Sequence, residues 1–122
     1  MGDRFRVRRA YEEPRPEDGL RVLVDRLWPR GLAKEKAEVD RWPKEITPST
    51  GLRKWYHEAP AERHDEFAGR YRAELDADEA AEPLRELREA AAKGTVTLVT
   101  AVKNVDTSHV PILLEHLEED AG

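Results

Sequence analysis

Two short apolar runs, Leu20-Arg21-Val22-Leu23-Val24 and Thr95-Val96-Thr97-Leu98-Val99-Thr100-Ala101, constrain this fold more than any other feature of the chain. Both are rich in β-branched residues and nearly continuous. A strand with one wet face alternates apolar and polar residues, whereas a near-continuous run suits a strand buried on both faces of a parallel sheet. Phe5-Arg6-Val7-Arg8 does alternate, so it reads as an edge strand. A short strand over residues 38–42, ended by Pro43, is a further expectation.

Helical signals fill the interval between the two runs. Thr47-Pro48-Ser49 reads as a helix start, with a hydroxyl cap and a proline in the first turn, leading to Leu52, Trp55 and Tyr56. Pro60 opens a second helix, with His64, Phe67, Tyr71 and Leu75 on one face. A third is expected to begin near Pro83, to turn Leu84, Leu87 and Ala91 inward, and to end at Lys93-Gly94. The last starts near Ser108, because Pro111 has to lie in its first turn, and buries Val110, Leu113, Leu114 and Leu117.

Strands separated by helices indicate an α/β fold, a small and mainly parallel sheet flanked by helices. One connection departs from the pattern. Residues 11–19 hold two prolines and four acids and are too few for an ordinary helical crossover. The first strand is therefore either antiparallel or joined by a shortened crossover. A length of 122 residues suits a single domain, 1–122, with its own core.

Composition then narrows the function. With no cysteine, disulfides, thiolate metal sites and cysteine nucleophiles are excluded. The histidines show no metal-binding spacing. There is no glycine-rich phosphate loop, no nucleophile elbow and no nucleic-acid module, so no cofactor is implied. No apolar run approaches the ~20 residues of a membrane span, and Met1-Gly2-Asp3-Arg4 leads into no signal-type stretch. The expectation is a cytoplasmic protein without membrane association. Net charge is −5, which argues against a general nucleic-acid coat, yet residues 1–31 carry eight arginines against six acids.

In open α/β sheets, ligands bind beyond the carboxyl ends of the strands. Two polar loops follow the two apolar runs directly, Asp25 to Gly31 and Lys103 to His109. In the first, Arg26 and Arg30 offer planar forks for carboxylate or phosphate. Trp28 is a stacking wall or a core plug. Asp25 orients an arginine or acts as a base. In the second, Lys103 emerges at the sheet edge, Asn104 braces the loop or bonds a ligand, and His109 meets an anion or moves a proton. Asp106, Thr107, Ser108, Ser49 and Thr50 are helix-cap types, and capping is their favoured role.

The string Arg21-Val22-Leu23-Val24-Asp25-Arg26-Leu27-Trp28-Pro29-Arg30-Gly31 resembles the signature of the YeaO-like branch of the "domain of unknown function 488" family. Lys44-Glu45-Ile46-Thr47-Pro48-Ser49, Leu52-Arg53-Lys54 with a following aromatic and His57, and Val102-Lys103-Asn104 with His109 extend the resemblance over nearly the whole chain. It implies a compact α/β domain without assigning a reaction. The family residues it carries over are Asp25, Arg26, Trp28, Arg30, Lys103, Asn104 and His109. Ser108-His109-Val110 departs from the Asn-His-Ala common in the family, and the cysteines of its longer members are missing.

Three functions follow. The first is a site for a small anionic ligand, formed by Arg26, Arg30, Lys103 and the last helix's start; in an enzyme, Asp25 or His109 would carry the proton. The second is a module without catalysis that reads nucleic acid or protein through Arg4, Arg6, Arg8, Arg9 and Arg30. The third is an architectural signature, with Asp25 paired, Trp28 covered and Lys103 bonded to backbone.

Overall fold

The computed structural model describes residues 5–119. Strand β1 (Phe5–Arg9) leads through a 3-10 turn (Pro16–Asp18) to β2 (Leu20–Leu23). A single helical turn, α1 (Lys34–Ala37), and another 3-10 turn (Lys44–Ile46) precede helices α2 (Thr50–Glu58), α3 (Pro60–Leu75) and α4 (Asp78–Lys93). Strand β3 (Val96–Thr100), a third 3-10 turn (Val105–Thr107) and α5 (Val110–Glu119) complete the order. The sheet order is β1-β3-β2, with both pairings parallel.

The first strand is therefore parallel, and the antiparallel alternative is corrected. The ten residues 10–19 bring the chain back to the other sheet edge without an α-helix, through a turn, a short irregular stretch and the 3-10 turn Pro16–Asp18. Gly19 makes the final bend at φ +64°, and a Cβ there would meet the Thr95 carbonyl oxygen at 2.2 Å. Only glycine fits so close an approach in that region of backbone space.

The two faces of the sheet are covered differently. Register aligns Phe5, Val96 and Leu20 in one row and Val7, Leu98 and Val22 in the next row of the same face. This face joins the helical core, with Phe67, Tyr71, Leu84 and Leu113. The opposite face bears Arg8, Thr97, Val99, Arg21 and Leu23, and the short crossover lies against it. Buried Asp18 sits 3.2 Å from Arg8 Nε and 2.7 Å from Arg21 Nη1 and accepts the Arg15 amide at 3.0 Å. The Thr97 hydroxyl donates to the Asp18 carbonyl at 2.6 Å, and Arg21 Nε donates to the Ala37 carbonyl of α1. A polar clasp thus replaces the helix that the crossover is too short to form. Burial raises the Asp18 pKa, but the Arg15 amide, Arg21 and Arg8 outweigh it, so the carboxyl sits below its ordinary 3.8.

Local details depart from expectation for identifiable reasons. Residues 38–42 supply one bridge, Val22 to Arg41, instead of a strand. They still close the outer edge of β2, since Leu23 N–H donates to the Arg41 carbonyl and Arg21 N–H to Asp40. Helix α4 begins at Asp78, and Pro83 lies inside it. The cost is the bond from residue 83 to the Glu79 carbonyl, and the return is burial of Ala80 in line with Leu84, Leu87 and Ala91. Lys93 does end α4, but Gly94 is extended and supplies no left-handed cap. Ser49 caps α2, its Oγ accepting the Leu52 amide at 3.2 Å, so Pro48 precedes the first turn.

Candidate anion site at the carboxyl edge of the sheet

Because β2 and β3 are parallel neighbours, the loops that follow them open on one edge. Between these loops, α2, α3 and the start of α5 lies a cavity of about 290 Å³. Asp25, Arg26, Trp28, Arg30 and His109 line it, while Lys103 and Asn104 are exposed and stand outside its wall. The structure therefore brings together five of the seven residues singled out in the sequence.

Most of those five have protein partners. Asp25 Oδ1 accepts the Thr100 hydroxyl at 2.7 Å and Oδ2 accepts the Ala101 amide at 2.8 Å, which ties the end of β2 to the end of β3. Arg26 donates from Nε to the Pro48 carbonyl at 3.0 Å and from Nη2 to the Lys44 and Thr47 carbonyls. It draws the segment before α2 onto the signature loop. Trp28 Nε1 donates to the Leu32 carbonyl at 2.7 Å, and its ring meets Trp42 edge-on at 5.5 Å. Trp42 Nε1 in turn donates to the Asp25 carbonyl at 2.7 Å.

His109 is buried at the back of the cavity. Its Nε2 lies 2.7 Å from the Val24 carbonyl and 3.5 Å from Asp25 Oδ1. A carbonyl only accepts, so Nε2 carries hydrogen and the neutral ring keeps its lone pair on Nδ1. Burial holds the His109 pKa below its ordinary 6.5; Asp25 and the Val24 carbonyl oppose this, and nearby Arg53 adds to it. The ring is therefore neutral at pH 7. An aromatic ladder backs the wall, with Tyr56 stacked on Phe67 at 4.1 Å, Phe67 on Tyr71, and Tyr71 edge-on to His109. The Tyr56 hydroxyl donates to the Thr107 carbonyl, and the Ser108 hydroxyl accepts the first amide of α5, from Val110.

Two guanidinium groups are differently placed. Arg30 and the half-buried Arg53 both line the cavity, and among the described residues neither side chain has a hydrogen-bond or ion-pair partner. Arg53 and His57 were not picked out as site residues from sequence. They stand four residues apart on α2, so they share a helix face. That spacing was the available signal, hidden because Leu52, Trp55 and Tyr56 define the helix by its apolar side.

The basic surface expected along the first strand is partly consumed by the fold. Arg8 pairs with Asp18, and Arg9 Nη1 donates to the Lys103 carbonyl at 3.2 Å. Arg6 is exposed, and Arg4 lies outside the described residues. No helix among the described residues is long and apolar enough to cross a membrane.

Comparison with known proteins places this geometry. An uncharacterised protein of Mycobacterium bovis, Mb3100c, is 50% identical over 114 residues, covering 93% of each chain. Rv3073c of Mycobacterium tuberculosis, also uncharacterised, matches to the same extent. The uncharacterised protein YeaO of Escherichia coli is 40% identical over 113 residues, 93% of this chain and 96% of its own. No solved structure matches the chain. A family model described as "Inactive DUF488-N3 subclade" matches residues 4–121, and the chain thus belongs to the YeaO-like DUF488 proteins, within that subclade.

Proposed function

We propose that this protein binds a small anionic molecule at the carboxyl edge of its sheet and does not turn it over. The observation that carries this reading is that two guanidinium groups without partners among the described residues, Arg30 and Arg53, line the same cavity. Guanidinium holds carboxylate and phosphate through paired donors in a fixed fork. With Arg26 and against the single Asp25, the lining arginines leave a formal charge of +2. A concave site of one sign concentrates the opposite ion.

Asp25 and His109 were the candidates for proton transfer. Both oxygens of Asp25 already accept protein donors, and Nε2 of His109 is committed to Val24. A general base has to reach the proton it removes, and the lone pair left on Nδ1 of His109 belongs to a ring buried at the back of the cavity. The subclade description, "inactive", supports the same choice. Lys103 and Asn104, outside the cavity wall, have no part in this reading.

The test is calorimetric titration of the full chain with inorganic phosphate and acetate, wild type against Arg30→Ala and Arg53→Ala. Binding by the wild type, weakened about tenfold or more in each variant, is expected. Equal binding by all three proteins would remove the site from this cavity.

A further inference from the structure

We propose that the ligand is a compact amphiphile, one anionic head on an apolar, ring-sized body, with Leu27 as part of the apolar wall against that body. This rests on the anion-binding reading above and gives it a chemical class. The cations account for only part of the wall. Leu27, Trp28, Pro29, Pro48, Phe67 and Val102 make much of the rest apolar. A bare inorganic anion would leave that surface facing water.

Leu27 is the telling residue. It is 63% exposed, on the cavity's lining, in a loop whose neighbours are fixed. Arg26 is held by three carbonyls on one side of it and Trp28 by the Leu32 carbonyl on the other. The loop is thus braced on both sides of Leu27, whose side chain is left exposed on the lining. Scattered exposed leucines need no explanation, but one in a braced loop on the lining of a largely apolar cavity is placed to contact an apolar guest. Size sets the guest's scale. About 290 Å³ lies at the lower bound of ligand pockets and equals the liquid volume of about ten waters, enough for a single ring and its head.

The experiment is calorimetric titration with matched probes: acetate against phenylacetate, inorganic phosphate against phenyl phosphate, and benzyl alcohol as the uncharged body. Each phenyl anion is expected to bind at least about tenfold more tightly than its head alone, with benzyl alcohol far weaker. The phenyl-to-head affinity ratio is expected to fall toward one in Leu27→Ser, and Arg53→Ala to weaken every anion. If heads alone bind as tightly as their phenyl partners, the apolar subsite is wrong and the anion site stands. If no anion binds, or benzyl alcohol binds as tightly as the phenyl anions, both readings fall.

Discussion

At the scale of single residues, the signature loop divides its labour by chemistry. Asp25, Arg26 and Trp28 each spend polar atoms on backbone or on a neighbouring strand, while Arg30 and Leu27 line the cavity with exposed side chains. Asp25→Ala would strand the buried Thr100 hydroxyl and the Ala101 amide. Unmet buried donors and a lost charged acceptor predict a destabilisation of about 2–4 kcal/mol in urea unfolding. Leu27→Ser should change stability by less than about 0.5 kcal/mol, since its side chain is mostly in water. His109 gives a pH signature. Its folded pKa is depressed, so its stabilising contribution is complete above the ordinary 6.5 and is lost as pH falls from there through the folded value. Stability measured from pH 8 to 5 should decline in that window. His109→Gln, which retains an N–H for the Val24 carbonyl, should flatten the decline.

At the scale of elements, the crossover from β1 to β2 is the unusual part. A connection this short cannot lay a helix over its face of the sheet, so charge does the covering. Removing one partner of a buried ion cluster costs about 3–5 kcal/mol, and that is the loss expected for Asp18→Ala by chemical denaturation. Asp18 also has a lowered pKa, so its contribution holds above pH 3.8 and disappears in stronger acid, well apart from the His109 window. The strands and four of the helices were legible because apolar spacing reports burial directly: Val96 to Thr100 is buried on both faces, as its unbroken run required. Pro83 misled because a proline one turn inside a helix is tolerated when burial compensates. The one-turn α1 left no periodic trace, and the strand expected over residues 38–42 shrank to the bridge at Arg41. At the cavity, the strand-end loops were readable from topology rules, whereas Arg53 was not, because its place on the lining depends on how α2 is rolled against the sheet edge.

At the scale of the whole molecule, an acidic chain has a cavity whose lining is locally positive. The net charge of −5 disfavours anions over the surface as a whole, and under the proposed reading the +2 of the cavity lining would mark where one rests. Asp25, Arg26 and Trp28 brace the loops by hydrogen bonds, and under the proposed reading Arg30 and Arg53 on the same lining would meet a guest. The most direct test is thermal unfolding of the wild type, Arg30→Ala and Arg53→Ala, each with and without saturating phenyl phosphate. A ligand at 100 times its dissociation constant adds about 2.7 kcal/mol, a rise of several degrees for a domain of this size. The expected result is that rise in the wild type, much reduced in both variants, with all three proteins unfolding at similar temperatures when no ligand is present. Equal stabilisation of the three proteins, or none in the wild type together with early unfolding of both variants, would contradict it and make the two arginines part of the architecture.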